Sequence, residues 1–118
     1  LQVIGHEGPW LLSEPDLSQL PGEGFRLCLS HTPDNVEWCR RAGVDLMLSG
    51  HVHGGQIRLP GIGPVFMPSV YGRRWDQGVF VLEPMRLVVS RGISGEHTVR
   101  YGCRPEVSLI TLRCEGVG

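Results

Sequence analysis

A chain of 118 residues, 41% hydrophobic and 19% charged, has the composition of a globular domain or part of one, and not that of a disordered segment. Its net charge of −1 gives no bulk electrostatic case for nucleic acid or an anionic membrane as partner. No apolar run approaches the ~18 residues of a membrane span, and Leu1-Gln2-Val3-Ile4 has neither a charged n-region nor an h-region. The first residue is not Met, which points to a fragment, a processed chain or a trimmed one.

The charge is unevenly spread. Residues 1–57 carry three Arg against seven acids, net −4, and residues 58–118 carry eight Arg against five acids, net +3. All 11 basic residues are Arg, a side chain suited to bidentate recognition of phosphate or carboxylate, although a coding bias toward Arg explains the count equally well. Cys28, Cys39, Cys103 and Cys114 form no C-x-x-C and no zinc-knuckle spacing. Buried free thiols are the expectation for Cys28 and Cys39, and the cysteines carry no compartment signal.

In chain order, residues 1–5 read as a short strand, followed by the loop Gly5-His6-Glu7-Gly8-Pro9-Trp10, with Trp10-Leu11-Leu12 as its anchor to the core. His6, alone among turn formers, reads as structural or exposed. Leu12, Leu17 and Leu20, with Ser13 as N-cap, predict a short helix over Ser13–Leu20, ended by Pro21-Gly22. Phe25–Ser30 alternates and then turns apolar, as a strand does. Thr32 or Asp34 can cap the next helix, Asn35 to Ala42, which Pro33 helps start and Gly43 stops. Val44–Leu48 is the next strand. Strand-helix-strand with a short crossover predicts a parallel pair, and ligands bind at the C-terminal ends of such strands.

Those ends carry the chemistry. His31 follows one strand, and His51 and His53 follow the next, set among Gly50, Gly54 and Gly55. Glycines there permit positive φ and close approach of the backbone to a ligand. Neutral imidazole is the commonest metal ligand, and parallel strands about 4.8 Å apart bring all three rings within reach of one cleft. Nitrogen donors suit Zn, Mn, Fe or Ni, and three histidines plus water would make a catalytic zinc site. Beyond Gln56 the pattern becomes β: Gln56–Leu59, Val79–Leu82, Leu87–Ser90 and Val107–Arg113 read as antiparallel strands, with turns at Leu59-Pro60-Gly61 and Glu83-Pro84-Met85. Ser69–Trp75 is a long loop that sequence order places near the site. The fold class read from the chain is α/β at its start and nearly all β afterwards.

Leu29-Ser30-His31-Thr32-Pro33-Asp34 and Ser49-Gly50-His51-Val52-His53-Gly54-Gly55-Gln56 resemble the last two metal motifs of the calcineurin-like metallophosphoesterases. Gly54–Pro60, Tyr71-Gly72, Val89–Ile93 and Arg104–Val107 are similar to a bacterial subgroup of predicted phosphohydrolases. The resemblance implies a β-sandwich flanked by helices, with a dinuclear divalent-metal site that hydrolyses a phosphomonoester or phosphodiester. It implies that His31 and His51 bind one metal and His53 the other. Among the arginines, Arg58, Arg73 and Arg74, and also Arg91 and Arg104, are candidates to position a phosphate.

The family's Asp-x-His, Gly-Asp and Gly-Asn-His-Asp/Glu motifs are not in this sequence, and Gly5-His6-Glu7 lacks the Asn of the last. Two ions about 3.5–4 Å apart need bridging carboxylate charge to hold them. The expectation is therefore that residues 1–118 are the C-terminal portion of a metallophosphoesterase domain, with no catalytic residue of its own and no complete dinuclear site. A missing N-terminal half or a partner chain would supply the rest, and without it apolar surface and an open sheet edge would be exposed. The alternatives are a non-catalytic metal-binding remnant or interaction module, and a mononuclear three-histidine zinc hydrolase.

Overall fold

The structure is a computed structural model, described for residues 1–8, 13–93 and 99–114. Strands β1 (Gln2–His6), β2 (Arg26–Ser30), β3 (Leu46–Ser49), β6 (Gly78–Leu82) and β7 (Met85–Val89) form one sheet in the order β1-β2-β3-β7-β6. The first three pairings are parallel, and β6 joins β7 as an antiparallel hairpin. Strands β4 (Arg58–Leu59) and β5 (Gly63–Pro64) make a separate small hairpin. The result is α/β with a mostly parallel sheet and a single α-helix, α1 (Val36–Arg41), among the described residues.

Register explains the core. Ile4, Cys28, Met47 and Leu87 stand opposite one another across the four parallel strands and point to one face. Val36 and Cys39 of α1 cover that row, and Met85, Val89, Val52 and Trp75 extend it. Period-2 alternation puts Gly5, Leu29, Leu48, Val88 and Val79 in the next row, on the opposite face. That face is open at Leu29, 49% exposed, and Val79, 68% exposed, while Leu48 and Val88 are half-buried and line a cavity with Val107 and Ile110; β1 sits at the sheet edge. Cys28 and Cys39 are buried free thiols, as their setting implied.

Three expectations need correction. Ser13–Leu20 forms no helix: the Asp16 carboxylate accepts from the Ser18 amide at 2.9 Å and from its hydroxyl at 3.0 Å, and so offers the backbone a turn instead. Val107–Arg113 forms no strand, because no described strand edge supplies it a ladder. The strands after Gln56 are not uniformly antiparallel, since β7 pairs β6 in that sense but β3 in parallel. Trp10-Leu11-Leu12, read as an anchor, lie outside the described residues. No described helix is long and apolar enough to cross a membrane.

His6 is structural. It is buried at the end of β1, its Nδ1 accepts from the Gly8 amide at 3.1 Å, and its ring meets Trp38 edge-on at 4.6 Å. Burial holds its pKa below the ordinary 6.5, with Glu14 pulling it partly back. A base whose folded pKa is depressed contributes stability above its unfolded pKa and loses it as pH falls toward the folded value. The urea midpoint is therefore expected to fall as pH drops below 6.5, and His6→Gln to lessen that fall. Leu87 is fully buried, so Leu87→Ala is expected to cost about 2–5 kcal/mol in equilibrium denaturation.

Candidate metal centre

The pairing Ser30↔Ser49 ends β2 and β3 at one level. The ladder runs one step further, the His31 amide donating to the His6 carbonyl at 3.2 Å and the Gly50 amide to the His31 carbonyl at 3.4 Å. Beyond it the chain after β3 departs from the strand, with φ of 64° at His51, 49° at His53, 62° at Gly54, 78° at Gly55 and 51° at Gln56. A left-handed backbone at a residue with a side chain costs about 1–2 kcal/mol. Gly55 is required by space as well: a Cβ there would collide with the Pro64 side chain and come within 2.8 Å of the Phe66 carbonyl.

In this setting the rings of His31 and His51 meet, with centroids 4.8 Å apart and Nε2 of His31 3.1 Å from Nδ1 of His51. A shell with metal–nitrogen distances of about 2.0–2.1 Å has neighbouring donor nitrogens about 2.9–3.4 Å apart, so this spacing fits two adjacent ligands of one ion. The Pro68 carbonyl accepts a hydrogen bond from the His51 ring. Neutral imidazole has a single N–H, so a ring that gives it to a carbonyl keeps its other nitrogen as the one able to bind a metal. Burial first, then His31, lowers the His51 pKa, which keeps the ring in the neutral form that a metal requires.

His53 lines, with His51, Gln56, Phe66 and Pro68, a cleft of about 420 Å³. Among the described residues no group of three or more His, Cys, Asp or Glu side chains is arranged to hold a metal ion. The pair fits part of a shell, and the described residues do not complete it.

The arginine candidates lie outside the lining of that cleft. Arg58 is ion-paired to Asp76 at 2.6 Å. Exposed Arg73 donates to the Ile62 carbonyl at 2.8 Å, and the Arg74 guanidinium lies 4.7 Å from the Trp75 ring centroid. Asn35 is satisfied by the Gly8 carbonyl at 2.8 Å and Ser30 Oγ at 2.9 Å.

Asp34 is the residue that sequence reasoning undervalued. Thr32 Oγ1 does the capping, accepting from the Asp34 amide at 3.3 Å. The Asp34 carboxylate is thereby left for the loop opposite, accepting from Ser69 Oγ at 2.5 Å and the Val70 amide at 3.2 Å. It fastens the segment whose Pro68 carbonyl faces His51. Its place three residues after His31 was the available signal. For the turn itself, Gly55→Ala is expected to cost about 1–3 kcal/mol through overpacking, read as a lowered urea midpoint.

Known proteins resemble most of the chain. The chain is 40% identical over 87 residues to phosphodiesterase YaeI of Escherichia coli, spanning 74% of this chain and 32% of that protein. It is 35% identical over 108 residues to the uncharacterized metallophosphoesterase YkuE of Bacillus subtilis, 87% of this chain and 37% of the relative. It is 32% identical over 104 residues to the UDP-2,3-diacylglucosamine pyrophosphatase LpxG of Chlamydia muridarum, 80% and 29%. No family model and no solved structure matches the chain. The chain thus spans about a third of the length of these curated relatives, 32%, 37% and 29%. Over the residues it covers, it belongs to the metallophosphoesterase family.

Proposed function

We propose that the chain supplies the metal-binding strand ends of a metal-dependent phosphoesterase acting on a phosphomonoester or phosphodiester. In this reading the chain is the C-terminal portion of a longer calcineurin-like β-sandwich domain. His31 and His51 hold one divalent ion, of Mn, Zn or Fe type, and His53 faces a second. The observation that carries it is the 3.1 Å separation of the His31 and His51 ring nitrogens, a spacing suited to two donors on one ion.

Divalent ions bound there would polarise the phosphoryl oxygens and favour ionisation of water at neutral pH. The chain's own residues do the rest of what can be assigned to it. His31 and His51 present lone pairs at one point, the Pro68 carbonyl orients the His51 ring, and Asp34 fastens the Pro68 loop through Ser69. The cleft beside His53 and Phe66 is the space for the phosphoester. A mononuclear three-histidine hydrolase would need His53 in the shell of the other two, and the described residues gather no such set.

The test is hydrolysis of bis(p-nitrophenyl) phosphate by the full-length protein with Mn²⁺. His31→Ala and His51→Ala are each expected to drop turnover to the level of the metal-free protein. Unchanged turnover after either substitution would remove that histidine from the site. A wild-type protein that binds Mn²⁺ but never turns over would favour the non-catalytic metal-binding module.

A further inference from the structure

The turn from His51 to Gln56 is held from behind by its carbonyl groups. Arg58 Nη1 donates to the Gly54 carbonyl at 3.1 Å and to Asp76 Oδ2 at 2.6 Å. The Cys103 thiol donates to the His53 carbonyl at 3.2 Å, and Arg100 Nη1 reaches the same oxygen at 3.5 Å. Arg100 Nη2 in turn donates to the carbonyls of Arg91 at 2.9 Å and Gly92 at 3.3 Å, which ties the loop after β7 to the loop after β3. A backbone with left-handed φ at His51, His53 and Gln56 persists only where its surroundings over-determine it, and these bonds are that over-determination.

Charge separates the two uses of Arg58. A phosphate-binding arginine keeps its guanidinium open to the substrate. Here the side chains of Arg58 and Asp76 are only 20% and 17% exposed, and the carboxylate already neutralises the cation. The same Nη1 that meets Asp76 also donates to a backbone carbonyl, where a charged donor makes a stronger bond than a neutral one.

We infer that Arg58, supported by Asp76 and aided by Arg100, is a positioning residue that holds the strained histidine turn by its carbonyls and so sets the imidazoles of His51 and His53. What the turn carries rests on the proposed metal site; the holding of the turn does not. The experiment separates the two by measuring the metal-free full-length protein first. The amides of Gly55 and Gln56 are bonded within the turn, to the carbonyls of Val52 at 2.7 Å and His53 at 3.2 Å. In Arg58→Gln their hydrogen exchange is expected to quicken at least tenfold while the amides of β2 and β3 keep wild-type rates. Arg86→Gln loses the same charge at the opposite end of the sheet and is expected to change neither. Exchange at Gly55 and Gln56 that stays at wild-type rates, or that quickens no more than in the strands, would overturn the inference.

The second arm is affinity. Arg58→Gln is expected to weaken Mn²⁺ binding at least tenfold with inorganic phosphate binding to the Mn²⁺-saturated protein unchanged, and Arg58→Lys to recover part of the loss. Weakened phosphate binding with unchanged Mn²⁺ affinity would make Arg58 a substrate contact instead. A wild-type protein that binds no Mn²⁺ would defeat the metal site, and the exchange arm would still decide the role of Arg58.

Discussion

The parallel pairing of β2 with β3 is the constraint on which the rest depends. Because Ser30 stands opposite Ser49, the two strands finish level, and each hands a histidine to the same end of the sheet. A slip of one residue would send the core row Cys28–Met47 to the other face, so burial of that row fixes the level at which the histidines emerge. Site geometry is thus a consequence of core packing. The helix between the strands contributes by covering the same row with Val36 and Cys39.

Beyond the strands, the molecule trades local comfort for geometry. Three residues with side chains hold left-handed φ in a six-residue turn, each at a cost of about 1–2 kcal/mol. Such a backbone cannot be kept by the turn alone. The opposing loop answers from one side, through Asp34, Ser69 and the Pro68 carbonyl. Segments at Arg58 and at Arg100–Cys103 answer from the other. The open face of the sheet, with Leu29 and Val79, is the surface that the proposed β-sandwich would cover.

Much of this was legible in the sequence, for identifiable reasons. Hydrophobic period located β2, β3, β6 and β7 to within two residues, and the Thr-Pro start and Gly43 bounded the helix. The convergence of His31 and His51 followed from a short crossover between apolar strands. The helix expected at Ser13–Leu20 failed because apolar spacing says nothing of the Asp16 carboxylate, which bonds Ser18 locally. The strand expected at Val107–Arg113 failed because alternation cannot reveal whether a partner exists; Val107 and Leu109 are 83% and 94% exposed. Nor does alternation give direction, which is why β7 came out parallel to β3. Arg58 pairs with Asp76, 18 positions on, and the Asp34–Ser69 bond spans 35; neither separation follows any local period.

In the proposed site His31 and His51 are adjacent donors to one ion. Long-range ¹H–¹⁵N spectra of the imidazoles during a Zn²⁺ titration of the full-length protein test it most directly. His31 Nε2 and His51 Nδ1 are expected to shift together over the same additions of Zn²⁺. Either nitrogen remaining at its metal-free position at saturation would contradict it.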